Sequence, residues 1–118
     1  MKYEIRLSEM EFYARHGCYE LERKVGGRFG VELVLTVGAD REMLHGDDVS
    51  QLVNYLNVYA SVERQMAVSQ CTVERVALNI IEALKAEFPA IESVSCTVSK
   101  FAPPLGGKVG RMSVTIEG

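Results

Sequence analysis

The sequence contains no tryptophan, only three prolines and two histidines. It also has no run of basic residues and no long apolar segment. A membrane-spanning helix needs about 20 predominantly apolar residues, so the sequence predicts no membrane partner. A net charge of −3 without a basic cluster argues against nucleic acid as a partner. Because the first residues lack the pattern of a secretory signal, we expect a cytoplasmic protein.

Cysteine and histidine are too few and too scattered to form a recognisable motif. Cys18, Cys71 and Cys96 are an odd number at wide spacing, which favours reduced thiols over a disulfide framework. His16 and His45 lie in no Ser or Cys nucleophile motif. No combination of them with Cys18 or Cys71 has the usual zinc-ligand spacing. The sequence therefore predicts neither a nucleophilic triad nor a metal site.

Periodic apolar residues are what the chain does have. Four segments alternate apolar and polar residues with a period of two, which predicts strands at residues 3–7, 29–37, 94–98 and 112–116. A polar connection that turns at Gly26 is expected between the first two. Apolar residues then recur at helical spacing in two stretches. The first begins after Asn54; the second begins after Thr72 and is stopped by Pro89, with both polar residues predicted as N-caps.

The order ββααββ over residues 1–118 predicts a single α+β domain. Its expected architecture is a four-stranded antiparallel sheet with two helices on one face. Such a layer leaves the second face and the edge strands unprotected. We therefore expect a homo-oligomer.

Lys100 is the residue whose position calls for an explanation. It continues the apolar series of Val94, Cys96 and Val98, so the alternation directs its ammonium toward the buried face. Partial desolvation lowers the pKa of a lysine and makes it a base near neutrality. The alternative is that the strand frays early or that Lys100 snorkels to water.

Three further side chains are candidates for a site, each with an ordinary structural explanation. Glu74 lies in the first turn of the second predicted helix. One explanation is that it complements the helix dipole, which is worth about 0.3–1 kcal/mol. The other is that it accepts two N–H bonds from a planar amidine-like ligand. Tyr55 is either a packing residue or a stacking ring with a phenol. Glu22 lies in a polar segment where a charge needs no explanation.

Taken together, the motifs of the chain resemble the dihydroneopterin aldolase family. The resemblance rests on Phe12-Tyr13-Ala14-Arg15-His16-Gly17, on Glu22 spaced from Gly26 and Phe29, on Asp47-Asp48-Val49 ahead of Val53-Asn54-Tyr55, on Glu74, and on Lys100 before Ala102-Pro103. Two positions depart from the family pattern: Ala14 replaces a glycine, and Phe101 replaces the proline after the lysine. We expect Phe101 to reshape the mouth of the pocket.

The resemblance implies a fold and an assembly. The fold is the tunnelling fold, in which sheets of neighbouring subunits join into a barrel. Rings of four subunits stack in pairs, commonly as an octamer, and the active sites lie between subunits.

The resemblance also implies a reaction. 7,8-Dihydroneopterin undergoes retro-aldol cleavage to 6-hydroxymethyl-7,8-dihydropterin and glycolaldehyde, without metal or cofactor, and epimerisation to dihydromonapterin accompanies it. Lys100 would act as acid and base, with Tyr55 of a neighbouring subunit as second proton carrier. Glu22 would orient Lys100 or the side-chain hydroxyls. The pterin would be held by Glu74, Val73 and Asn54.

Three other functions remain open at this point. One is a dihydroneopterin triphosphate epimerase, with Arg28, Lys108 and Arg111 as candidate phosphate ligands. A second is a pterin- or purine-binding module without catalysis. The third is a purely structural oligomer, which would bind no ligand.

Overall fold

The structure, a computed structural model, describes residues 1–118, and its strands and long helices follow the ββααββ order that the sequence predicts. Its strands are β1 (Lys2–Ala14), β2 (Gly27–Gly38), β3 (Ile91–Phe101) and β4 (Arg111–Glu117). Its helices are α1 (Glu20–Val25), α2 (Arg41–His45), α3 (Tyr55–Met66) and α4 (Val73–Glu87), with a short 3₁₀ turn at Val49–Gln51. None of these helices is long and apolar enough to cross a membrane.

The four strands form one antiparallel sheet in the order β1-β2-β3-β4. Lys100 lies opposite Phe29 on β2 and opposite Met112 on β4. The start of β2, the end of β3 and the start of β4 therefore meet at one end of the sheet. The outer edges of β1 and β4 pair with no other strand of the chain.

The long helices α3 and α4 cover one face of the sheet, as predicted. Each begins at the predicted cap: the Asn54 side chain accepts the Leu56 N–H at 3.0 Å, and the Thr72 hydroxyl accepts the Arg75 N–H at 3.2 Å. Such caps stabilise a helix by about 1 kcal/mol. The core between helices and sheet contains fully buried residues of both layers: Val31, Leu33, Leu35, Val58, Val62, Val76, Ile80, Leu84, Val94 and Val98.

Two short helices were not predicted. Residues 20–25 were expected to belong to an irregular polar connection, but they form α1, which buries none of its side chains. It has Glu20 and Glu22 in its first turn and Arg23 and Lys24 in its last turn, an arrangement that complements the helix dipole. The helix is therefore supported by charge placement, not by an apolar stripe. The same holds for α2, which also has no buried residue.

The prediction of three reduced cysteines is wrong, because Cys18 and Cys71 form a disulfide. Their Cα atoms are 4.4 Å apart although 53 positions separate them in sequence. Backbone contacts bring the two loops together, including a Gly17 N–H to Gln70 C=O bond of 2.9 Å. Cys96 is the free cysteine; it is buried in the core, and this burial raises the pKa of its thiol to about 12.

The other face of the sheet carries polar side chains. Thr97 and Thr115 are hydrogen-bonded across β3 and β4 at 2.7 Å, as are Ser99 and Ser113. The ring of Phe101 belongs to this face, because the Arg28 guanidinium lies 4.3 Å from its centroid. Phe101 and Lys100 therefore point to opposite faces of the sheet, as neighbouring residues of a strand do, and the effect of Phe101 on the mouth of the pocket stays a prediction.

Candidate active site

A cavity of about 230 Å³ lies at the end of the sheet where β2, β3 and β4 meet. It is bounded by the segment after β1, by α1 and by the first turn of α4. Its lining includes Glu22, Val73, Glu74 and Lys100, four of the six residues that the sequence analysis assigns to a site. The fold therefore brings these four together although they are far apart in sequence.

Lys100 and Glu22 form an ion pair inside this cavity. Their side chains are only 21% and 25% exposed. Lys100 faces the helix side of the sheet, as the strand alternation predicts, and its Nζ lies 6.0 Å from the centroid of the Phe29 ring. The hydrogen bond from Lys100 lowers the pKa of the Glu22 carboxyl below its ordinary value. Glu22 is thus held as a carboxylate beside the lysine.

Local contacts fix the position of Glu22 on α1. Its Oε1 accepts the Tyr19 N–H at 3.3 Å. The Arg23 guanidinium donates from Nε to the Gly17 carbonyl at 2.8 Å, which ties the start of α1 to the preceding loop. A Cβ on Gly17 would lie 2.6 Å from the Cβ of Glu22. Glycine at position 17 is therefore what allows the carboxylate to come so close to the loop.

Glu74 is presented by the first turn of α4, directly after the Thr72 cap and the buried Val73. Its side chain is exposed at the cavity and forms no ion pair with any residue of the chain. A carboxylate without a protein partner can accept two parallel hydrogen bonds from a planar donor pair. The geometry therefore leaves Glu74 available for a ligand.

His16 is a lining residue that the sequence analysis considered only as a metal ligand or triad member. It is 2% exposed, and its Nδ1 accepts the Gln70 N–H at 3.1 Å. Burial lowers the pKa of the imidazole, so the neutral ring carries its hydrogen on Nε2. That Nε2 has no hydrogen-bond partner. Only the position of His16 in the Phe-Tyr-Ala-Arg-His-Gly motif hinted at a place in the site.

Cys18 and Cys71 also line the cavity. Their disulfide joins the loop before α1 to the loop before α4. The two loops are further connected by the Gly17–Gln70 and His16–Gln70 hydrogen bonds. The cavity wall is thus cross-linked between the elements that carry Glu22 and Glu74.

Tyr55 and Asn54, the other two predicted site residues, are not at this cavity. Tyr55 is 60% exposed at the start of α3, and Asn54 lines a larger cavity of about 490 Å³ beside Val37. Val37 and Phe29 are eight residues apart on β2, which corresponds to about 26 Å along a strand. The larger cavity contains no lysine, arginine or histidine, so the smaller one is the candidate for acid–base chemistry.

The arrangement suits proton transfer and the binding of a planar ligand. Lys100 and Glu22 form a half-buried acid–base pair, and Glu74 is a carboxylate with free acceptor positions beside it. No group of three or more His, Cys, Asp or Glu residues is placed to hold a metal ion. The chain therefore offers general acid–base chemistry.

Known proteins similar to this chain point to one family. The sequence matches the family model described as FolB, dihydroneopterin aldolase, over residues 5–117. It is 33% identical over 115 residues to the dihydroneopterin aldolase of Streptococcus pyogenes serotype M18, covering 96% of this chain and 95% of that relative.

Two solved structures resemble the fold. An Escherichia coli dihydroneopterin aldolase in complex with neopterin has a TM-score of 0.85 at 21% identity, over 98% of both chains. A dihydroneopterin aldolase of Burkholderia thailendensis bound to guanine has a TM-score of 0.77 at 18% identity, over 99% of this chain and 90% of that one. The chain thus has the tunnelling fold, and it belongs to the dihydroneopterin aldolase family, the lyases of folate biosynthesis that cleave dihydroneopterin.

Proposed function

We propose that the cavity around Lys100, Glu22 and Glu74 is the site at which this protein cleaves 7,8-dihydroneopterin, and that Lys100 is the acid–base residue. The observation that carries the proposal is the Lys100–Glu22 ion pair, enclosed in one cavity with the partnerless carboxylate of Glu74. What distinguishes this ion pair from an ordinary surface pair is that it shares a cavity with the unpaired Glu74 carboxylate. The pairing supplies a proton carrier, and Glu74 supplies an anchor for the substrate.

The pterin ring explains why no cofactor is needed. The trihydroxypropyl side chain is attached to a ring carbon that is double-bonded to nitrogen. This imine accepts the electron pair when the carbon–carbon bond of the side chain breaks. The enzyme therefore needs only to move protons, which is what a positioned lysine does.

The steps follow from these positions. Lys100, acting through a water, removes the proton from the second hydroxyl of the side chain. The bond between the first and second side-chain carbons then breaks, which releases glycolaldehyde and leaves an enamine on the ring. Reprotonation of the enamine gives 6-hydroxymethyl-7,8-dihydropterin. Glu22 keeps the lysine and the side-chain hydroxyls aligned throughout.

Glu74 determines the orientation in which the pterin ring binds. Its two oxygens accept hydrogen bonds from the exocyclic amino group and the adjacent ring N–H, and Val73 packs beside the ring. The Escherichia coli relative is described in complex with neopterin, which supports a pterin as the ligand here. Because a bidentate carboxylate fixes the plane of the ring, it also fixes where the side chain meets Lys100.

Tyr55 and Asn54 reach this cavity, in our proposal, from a neighbouring subunit. Within one chain, Asn54 lines the cavity beside Val37, about 26 Å along β2 from Phe29, and Tyr55 is the next residue. The unpaired edges of β1 and β4 offer the means of assembly, since edge strands pair readily with another chain. We propose rings of four subunits that stack into an octamer. A cytoplasmic location stays a prediction.

Free dihydroneopterin suits the cavity better than its triphosphate. Lys100 is the only lysine or arginine in the lining, and it is paired with Glu22. Arg28 stacks on Phe101 on the opposite face of the sheet, and Arg111 lines a cavity on that face as well. No second lysine or arginine of this chain lines the cavity to pair with a triphosphate. Epimerisation to dihydromonapterin needs no additional residue, because the released aldehyde can turn before the bond re-forms.

The test is the replacement Lys100→Ala, with glycolaldehyde release as the assay. We expect turnover to fall by at least about 100-fold, the lower range for loss of a general acid–base group. Lys85→Ala is the matched control, because Lys85 is exposed in the last turn of α4 away from the cavity. Near wild-type turnover in a folded Lys100→Ala protein would rule out the assignment.

A further inference from the structure

The disulfide between Cys18 and Cys71 occupies a position that the reaction itself does not require. Cys18 lies four residues before Glu22, and Cys71 lies three residues before Glu74. The bond therefore links the loops that carry the proton-transfer pair and the pterin anchor. Neither residue has a role in the proton steps described above.

The loop on the Cys18 side directly supports Glu22. Tyr19, the next residue, donates its N–H to Glu22, and Gly17, the preceding residue, accepts the Arg23 guanidinium. On the other side, Cys71 immediately precedes the Thr72 cap of α4. A change in the separation of the two sulfurs would thus be transmitted to both carboxylates of the site.

In the single chain the two bonded cysteines are exposed, unlike the third. Cys18 and Cys71 are both exposed and both line the cavity. Cys96 is fully buried in the core. Thiol–disulfide exchange requires access of a thiolate to a sulfur atom, so the exposed pair can react and Cys96 is shielded.

Two hydrogen bonds other than the disulfide hold the loops near each other. The Gly17–Gln70 backbone bond of 2.9 Å and the Gln70–His16 bond of 3.1 Å remain. Reduction would therefore loosen the spacing between Glu22 and Glu74 without unfolding the wall. Disulfides of ordinary cytosolic proteins are usually transient and redox-sensing, which fits a bond that can open without loss of the fold.

We infer that Cys18 and Cys71 are a reversible thiol modification site that sets the affinity of the catalytic cavity, with the disulfide form as the competent one. This inference rests on the proposed function, since it concerns the same cavity. In the reduction, a dithiol gives two electrons and two protons to the protein disulfide. Two cysteine thiols form, and the dithiol becomes a disulfide. A small disulfide oxidant drives the reverse reaction, by exchange through a mixed disulfide.

The experiment compares the oxidised and reduced forms of the intact protein in two assays. One is glycolaldehyde release from 7,8-dihydroneopterin, and the other is neopterin binding measured by fluorescence. Reduction with a dithiol should raise KM and the neopterin Kd by about 3-fold to 30-fold. This is below the roughly 100-fold cost of a 1 Å misplacement, because the remaining hydrogen bonds limit the movement. The value of kcat should change less.

Two variants separate the bond from other effects of the reductant. Cys18→Ser/Cys71→Ser should resemble the reduced wild type and show no response to dithiol or oxidant. Cys96→Ala should respond as the wild type does, because it keeps the exposed pair. Mass spectrometry after alkylation with iodoacetamide counts the free thiols of each form, so every kinetic value is tied to a known redox state.

The outcomes decide between the two proposals. Equal KM and Kd in the two forms, or tighter binding after reduction, would overturn the inference while leaving the aldolase site in place. Failure of the alkylation assay to find the disulfide after treatment with oxidant would overturn it as well. If neither the oxidised nor the reduced form shows turnover or neopterin binding, the proposed site is overturned, and the inference falls with it.

Discussion

Replacement of Gly17 by alanine tests whether the cavity depends on the close approach of the loop to Glu22. An added Cβ would lie 2.6 Å from both the Cβ and the Cδ of Glu22 and 2.8 Å from its Oε1. Ordinary contacts of a Cβ begin near 3.4 Å. Glu22 or the loop must therefore move by about 0.8 Å, which shifts the carboxylate relative to Lys100.

The expected loss follows from this displacement. A misplacement of about 1 Å in a catalytic arrangement costs up to about 100-fold in rate. We therefore expect Gly17→Ala to lower kcat/KM by about 10-fold to 100-fold. The free energy of unfolding should fall by about 1–2 kcal/mol, the middle of the range for a strained substitution. The measurements are glycolaldehyde release and urea-induced unfolding.

Gly107→Ala is the matched control. An added Cβ at position 107 would meet no atom within 4 Å. We expect wild-type turnover and a stability change below about 0.5 kcal/mol, as for other surface substitutions. Full activity in a folded Gly17→Ala protein would show that the position of Glu22 on α1 does not control the reaction. That result would remove the loop from the description of the site.

Three other expectations follow from the same geometry. Glu74→Ala should weaken neopterin binding by about 2–5 kcal/mol, because it leaves N–H donors of the ligand unpaired; an unchanged Kd would exclude Glu74 as the anchor. Lys100 lowers the pKa of Glu22, so the ion pair stabilises the fold above the ordinary value of 4.5 and loses its effect as pH falls through the lowered pKa. The stability difference between wild type and Glu22→Gln, at most about 1 kcal/mol, should therefore shrink in acid; a pH-independent difference in urea unfolding would contradict this. Mixed oligomers of Lys100→Ala and Tyr55→Phe subunits should regain activity at about a quarter of the sites, whereas no recovery would mean that Tyr55 and Lys100 do not meet between subunits.

The main elements of the fold were readable from the sequence because packing imposes periodicity. β2, β3 and α4 each bury one face, so their apolar residues recur every second position or at helical spacing. The same alternation placed Lys100 on the helix side of the sheet. The short helix α1 left no such trace, because its apolar residues Leu21 and Val25 are exposed.

Contacts that depend on tertiary structure could not be read in this way. The Cys18–Cys71 bond joins positions whose separation of 53 residues carries no information about distance. The contact between Arg28 and Phe101 also depends on the pairing of β2 with β3. The free Nε2 of His16 likewise becomes visible only when Gln70 is seen to occupy the other ring nitrogen.

The size of the cavity supports a site that is shared between subunits. Its volume of about 230 Å³ is below the roughly 300–1,000 Å³ of sites that bury a small molecule. Glu74 is exposed at the rim of the cavity and has no partner in the chain. Tyr55 lies at the other end of the sheet, and its ring is 60% exposed and also has no partner in the chain. An exposed carboxylate discriminates poorly among ligands, since water competes for its lone pairs. A neighbouring subunit that brought its Tyr55 over the rim would enlarge the enclosed volume and exclude that water, and this is why we propose that the active site is complete only in the oligomer.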